Sequence, residues 1–260
     1  MMSSLTQTFA DTAVVAKRNV IKIRRVPEVL MFVLLFGYVF GNAIQVPGTS
    51  YREYLIAGIF AQTVMFGATF TGVGIAEDMD KGIINRFRSL PMSGSAVLTG
   101  RTASDVIYNV LSITMMALTG LLVGWRIRGS FLDAALGFAL ILLFAYSISW
   151  VMAYIALIVP SVEVINNASF MVIFPLSFVA NTFVPVEDLP GPLQTFAEWN
   201  PVSAVTQAAR ELFGNIPPGT PAPEAWPLQN PVLYTLIWAV VTVALFATLA
   251  TRRYQRVAKS

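Results

Sequence analysis

The densest run of chemically capable side chains lies between Glu77 and Ser93. Its acids come first, at Glu77, Asp78 and Asp80, and its bases follow, at Lys81, Arg86 and Arg88. In a helix that order complements the backbone dipole. Ile83, Ile84, Phe87 and Leu90 add an apolar stripe at helical spacing, and Pro91 stops it. The pattern contains no nucleophile beside a base. Its chemistry is docking: a short amphipathic helix offering an apolar stripe between charges, unless the charges only solvate a loop.

A second set is rich in amides. Asn166 and Asn167 open one long apolar segment, Pro175 interrupts its middle and Asn181 lies near its far end. Proline supplies no N–H, so the carbonyl of Met171 loses its helical donor there. Such a break is tolerated where protein or a cavity surrounds it, which makes this segment a candidate for lining a path or hinging. A third set follows. Leu189, Leu193 and Phe196 form a short apolar face, with Trp199 beside it. Asn200 is placed to cap a helix that starts at Pro201, carries Arg210 and ends at Gly214. These two short helices are expected to dip into or lie upon a leaflet. Trp199 and Trp226 are candidate interfacial anchors.

Much chemistry is excluded. The chain has no cysteine and no histidine, which removes thiol reactions, thiolate metal sites and the commonest neutral-pH base. It carries no phosphate-binding Gly-x-x-x-x-Gly-Lys-Ser/Thr loop. Asp105 and Asp133 are placed within about one turn of predicted helix ends, which suits a buried proton relay poorly. No catalytic residue, metal ligand or cofactor site is expected in this chain.

The elements that must position these groups are membrane spans. Of 260 residues, 56% are hydrophobic and 12% charged, against about 25% charged in soluble domains. Six stretches are long enough to cross a hydrocarbon core, near Val29–Val46, Tyr54–Ala76, Val106–Trp125, Phe131–Val159, Val164–Val186 and Val232–Ala250. Placing both termini in the cytoplasm puts thirteen basic residues inside and four outside, namely Arg52, Arg126, Arg128 and Arg210. The Arg126/Arg128 pair is the one local dissent. Residues 3–25 read as an interfacial helix, with Leu5, Phe9, Ala13 and Val20 on one side and a basic cluster from Lys17. No short apolar core with a small-residue cleavage site precedes it, so no cleaved signal is expected. The external segment from Pro185 to Pro231 holds ten of the fifteen prolines, and beyond Ile216 it is expected to be an extended connector. Ala57-x-x-x-Ala61 and Ala68-x-x-x-Gly72 permit close helix approach, within the chain or between copies.

This layout resembles the permease subunits of ABC-2 type transporters, and among them the daunorubicin/doxorubicin-resistance permeases. The residues that carry the likeness are Asn85 through Ser93 with Gly100 and Arg101, then Phe183 to Pro185, Leu189 and Pro190, Asn200 to Ser203, and Ala209 with Arg210. The resemblance implies a single all-α transmembrane domain over residues 1–260. It would hold six transmembrane helices, an N-terminal interfacial helix, a cytoplasmic coupling helix at 80–92 and external re-entrant helices at 187–213. It further implies a second permease subunit and separate ATP-binding subunits carrying ATP and Mg2+. Asp80, Lys81, Ile83, Ile84, Arg86, Phe87, Arg88, Leu90 and Pro91 would then meet the ATPase. The expected activity is export of a hydrophobic or amphipathic compound, drug or antibiotic, across the cell inner membrane. A cell-envelope lipid or glycan is the alternative cargo, and a membrane assembly protein without transport is the alternative class.

Overall fold

The computed structural model describes residues 50–82, 94–159, 161–216 and 219–257. The first expected span, the N-terminal interfacial helix and positions 83–93 lie outside the described residues. The described chain is helical: α1 (Tyr51–Asp80), α2 (Gly94–Val123), α3 (Phe131–Ala156), α4 (Val162–Phe178), a 3-10 turn (Val186–Asp188), α5 (Gly191–Trp199), α6 (Pro201–Leu212), α7 (Trp226–Gln229) and α8 (Pro231–Val257).

Four helical segments are long and apolar enough to cross a membrane: α1, Asp105–Val123 of α2, α3, and α8 as far as Gln255. This is a multi-pass membrane protein with several long apolar helices. α4 departs from the expected fifth span. It is apolar but 17 residues long and ends at Phe178 rather than near Val186. Beyond it the carbonyls of Val179, Asn181 and Thr182 accept from side chains of other elements, so the helical ladder has no reason to continue.

α1 is the centre of the bundle and packs against α2, α3, α4 and α6. Small residues make this possible: Ala57, Ala61 and Ala68 are wholly buried along it. A Cβ on Gly72 would lie 3.2 Å from Met152 Cε and 3.3 Å from Ile165 Cγ2, so this small-residue face seats α3 and α4 of the same chain. Phe60 of α1 meets Trp125, Phe138 and Phe213 edge-on at 5.6, 5.7 and 6.0 Å, a four-ring cluster at one end of the core.

Local signals set the boundaries. The Ser50 hydroxyl accepts from the Glu53 amide at the start of α1. α2 ends in a left-handed Gly124 (φ 103°), with the Trp125 amide donating to Gly120 O at 2.9 Å, the six-to-one bond of a Schellman turn. Ser130 and Asp133 form a capping box on α3, so Asp133 is a helix cap. Asp105 needs correction: α2 begins at Gly94, which places Asp105 about three turns inside the helix rather than at its end. α6 starts at Pro201 under the Asn200 cap, as the sequence predicts. It is buried nearly all round among α1, α3 and α8. The connector also gains one helical turn, α7, whose Leu228 packs with Val186, Ala197 and Leu189 in a satellite core.

Candidate functional site

At one end of the bundle α1 runs out to Asp80, beyond the expected span limit of Ala76. Asp80 is exposed on the last turn and Lys81 is the C-cap residue. Lys81 Nζ donates to Glu77 Oε2 at 2.8 Å, which pushes the ammonium pKa up. Gly82 (φ 65°) then turns the chain away in a conformation other residues resist. The other residues expected to dock, Ile83, Ile84, Arg86, Phe87, Arg88, Leu90 and Pro91, lie outside the described residues. Their segment is bounded by the Gly82 turn and by the start of α2 at Gly94.

One turn-by-turn seam joins α1 and α2 above this end. Thr71 donates to Asp105 Oδ2, Arg101 Nη2 donates to Phe70 O at 3.1 Å, and the Arg101 side chain lies over Gly74. Asn109 follows one turn on, its Oδ1 against Gly67. Small residues on α1 leave room for polar ones on α2, the usual exchange where helices cross in an apolar medium.

α4 shows a narrow buried stripe of Ile165, Ser169, Ile173 and Ser177. Asn166, Asn167 and Pro175 stand on its exposed side, with Phe170, Met171, Val172 and Phe174. Asn181 is different. It is buried in the turn after α4, roughly 18 Å of helix rise from Asn166.

Among the described residues, that turn is bonded from several elements at once. Asn200 spans two helices: its Oδ1 accepts from the Val202 amide at 2.9 Å, and its Nδ2 donates to both Leu176 O and Val179 O at 2.8 Å. One amide thus caps the start of α6 and the end of α4. The Ser203 hydroxyl accepts from the Asn181 amide at 3.0 Å. Arg210, 2% exposed, donates to Tyr54 O at 3.1 Å and Asn181 O at 2.7 Å, and its guanidinium carbon sits 3.4 Å from the Tyr54 ring centroid. Tyr54 Oη also donates to Asn181 O, at 2.9 Å. Gly58 admits this turn, since a Cβ there would overlap the Thr182 carbonyl. Three residues singled out by sequence, Asn181, Asn200 and Arg210, therefore meet in one knot. Tyr54, Gly58 and Ser203 complete it; Ser203 belongs to the Asn200–Ser203 run that carries the family resemblance, whereas Tyr54 and Gly58 read as ordinary span residues.

The α2–α3 loop joins the same end. Arg128 and Gly129 amides donate to Phe213 O at 2.8 and 3.1 Å, and Asn215 bridges Trp125 Nε1 to Arg126 O at 2.8 Å each. The basic pair that dissented from the charge bias is accounted for here. Arg128 makes a two-pronged bond to Glu53 at 2.7 Å each, which raises its pKa. Arg126 donates to Leu121 O and Trp125 O, where a cation suits the C-terminus of α2.

α5 keeps an exposed face of Leu193, Phe196 and Trp199, while Leu189 is partly buried in the satellite core. Tyr234 Oη donates to Trp199 O at 2.8 Å and its ring meets Trp226 at 6.1 Å. This aromatic group stands at the start of α8, whose exposed side is Leu233, Leu236, Ile237 and Val240.

Among the described residues no group of acids could hold a metal ion. A profile of the family described as ABC-2 type transporter matches residues 7–213. The daunorubicin resistance ABC transporter permease protein DrrB1 of Streptomyces coeruleorubidus is 33% identical over 184 residues, 71% of this chain and 65% of that protein. The chain thus spans just under two thirds of that relative's length. The probable doxorubicin resistance ABC transporter permease protein DrrC of Mycobacterium tuberculosis (strain CDC 1551 / Oshkosh) is 21% identical over 210 residues, 80% of this chain and 72% of that protein. The putative transport permease ycf38 of Porphyra purpurea is 25% identical over 191 residues, 72% of this chain and 65% of that protein. With the profile match running from ahead of the first expected span to the end of the α6 knot, the chain belongs to the ABC-2 type transporter family.

Proposed function

We propose that this chain is the permease subunit of an ATP-driven exporter that moves a hydrophobic or amphipathic, drug-like compound out of the cytoplasm or inner leaflet. The observation that carries this is the 33% identity to a daunorubicin resistance permease, spread over most of the chain. The charge-poor helices and the absence of any phosphate-binding loop in the sequence agree with it. ATP and Mg2+ then belong to separate ATP-binding subunits, and a second permease completes the path. Export drives the assignment of sides: the Lys81 end faces the cytoplasm with both termini, and the α6 knot faces outward. Six spans, including Val29–Val46, and location in the inner membrane follow from the same reading.

Coupling is assigned to Asp80, Lys81 and the segment from Ile83 to Pro91, received by the ATPase. Opposite charges along that segment orient it, and the stripe of Ile84, Phe87 and Leu90 supplies the buried contact. Binding of ATP closes the ATPases and moves this end of the bundle.

The test uses inverted vesicles containing the permease and its ATP-binding subunits, supplied with ATP and scanned over doxorubicin, other amphipathic drugs and native envelope lipids. ATP-dependent accumulation of drugs is the expected result. Accumulation of lipids alone makes it an envelope exporter, and no accumulation of any compound, with the complex intact, overturns the reading. Charged replacements at Ile84, Phe87 and Leu90 are expected to abolish co-purification with the ATPase.

A further inference from the structure

The two ends of α4 are held in very different ways. Its last turn and the following residues are fixed by side chains from elsewhere: Asn200 donates to Leu176 O and Val179 O, Arg210 and Tyr54 donate to Asn181 O, and the Ser203 hydroxyl accepts from the Asn181 amide. Hydrogen bonds from a charged donor hold more strongly than neutral ones. Toward its start, from Val162 to Phe174, α4 makes one side-chain bond to another helix among the described residues, the weak 4.0 Å approach of Ser169 Oγ to Met152 Sδ. Between the two regions stands Pro175, which leaves the Met171 carbonyl without its helical donor.

We infer that α4 is a lever: Asn200 and Arg210 are positioning residues that clamp its end to α6 and α1, Pro175 is the pivot, and residues 162–174 swing during turnover. The stripe of Ile165, Ser169 and Ile173 is packed beside Gly72 and Met152, and a shift there exchanges one set of non-directional apolar contacts for another and breaks no hydrogen bond to another helix except the weak Ser169–Met152 approach. The clamp cannot move without breaking several bonds at once. The swing carries Asn166 and Asn167, both exposed at the free end, which gives the moving segment a polar face inside an apolar surround. This inference rests on the exporter reading, because the swing needs a driving stroke.

The knot also holds Arg210 Nη1, Asn181 Oδ1, Thr182 Oγ1 and Tyr51 Oη without partners among the described residues. Opening of the knot itself is therefore the competing motion, and the experiment separates the two. The natural chain has no cysteine, so introduced pairs react alone. One full-length variant carries Met152→Cys with Ser169→Cys, and a second carries Asn181→Cys with Ser203→Cys. Each is assembled with its ATP-binding subunits in proteoliposomes and bridged by a short bis-thiosulfonate reagent, with and without ATP and Mg2+. Bridging rates are compared within each variant, and ATP turnover is compared before bridging, after it and after reduction.

The 152/169 pair is expected to bridge several-fold differently when ATP is present, and its bridge to stop ATP turnover until reduced. The 181/203 pair is expected to bridge at one rate in both conditions and to keep its own turnover after bridging. Adding Asn200→Ala or Arg210→Lys to the second variant should make its bridging ATP-sensitive. Insensitivity in both would remove the positioning roles. A 181/203 pair as responsive as the 152/169 pair overturns the lever and makes the knot the gate. If neither pair responds while ATP is hydrolysed, α4 does not move at all. Absence of ATP hydrolysis by the assembled natural protein would sink the exporter reading itself.

Discussion

Among the described residues, side chains bonded to backbone tie the α6 end of the bundle together, whereas the Lys81 end shows packing and a few polar contacts. At the α6 end, Asn200, Arg210 and Asn215 each bridge at least two elements, and Gly58 lets the turn after α4 sit directly on α1. At the other end, Lys81 and Glu77 pair within one helix, and Arg253 Nε reaches Leu157 O at 3.3 Å. A backbone carbonyl captured by a fixed donor leaves little freedom, while apolar surfaces slide. The difference supports the proposal that the end with α6 is held while the Lys81 end moves.

Gly58→Val should break the comparison most completely. Its side chain would overlap the Thr182 carbonyl, a backbone group with no rotamer to escape into. The expected outcome is loss of the monodisperse protein in detergent, read by size exclusion and thermal unfolding. Gly82→Ala at the Lys81 end meets open space, and only its left-handed backbone resists, at about 1–2 kcal/mol. Equal damage from the two would mean that the ends are not built differently.

Phe213→Ala comes next. Its ring is wholly buried against Phe60, Trp125 and Phe138, the last at 4.8 Å, so truncation should cost about 3–5 kcal/mol. Phe246→Ala, toward the other end of α8, removes a half-buried ring that meets Tyr154 at 5.7 Å and should cost clearly less. Chemical denaturation of the two variants in one detergent gives the order. A third variant, Asn215→Ala, leaves Trp125 Nε1 and Arg126 O without their shared partner and should cost about 1–3 kcal/mol. Retained stability would show that water replaces the bridge freely.

The two ends also differ in how far the sequence announced them. Apolar length alone places α1, α3 and α8, because nothing but lipid or a core accepts such stretches. Asn200, Pro201 and Gly214 mark α6 to the residue, since capping depends on neighbours in the chain. Local pattern could not supply long-range partners. Arg210 meets Tyr54 across more than 150 positions, and no spacing rule connects them. The same gap explains the overlong fifth span: hydropathy extends α4 to Val186, while capture of its carbonyls by Asn200 and Arg210 ends it at Phe178. Asp105 was misplaced for another reason, as the twelfth residue of a helix whose first turns are too polar to count as span.

The smallest expected effect is a pair of pH responses of opposite sign at the two ends. Burial pushes the Glu211 carboxyl of α6 above its ordinary 4.5, against a Gln207 amide bond at 3.2 Å that pulls it down. A raised acid favours the protonated form in the folded state. Its contribution therefore improves as pH falls through the folded value and is complete below the unfolded one. Glu211→Gln should be slightly more stable than the natural protein at neutral pH, with the gain vanishing below the glutamate range. Partial exposure of Glu211 keeps that gain small. Lys81 runs the other way. Glu77 raises its pKa, so its contribution is full at neutral pH and is lost only as alkaline pH passes the folded value. Thermal midpoints of Glu211→Gln and Lys81→Gln across acid and alkaline pH read both signs. If the natural protein falls below Glu211→Gln progressively on acidification, the carboxyl is stabilised rather than penalised, and the α6 end is less dry than its bonds imply.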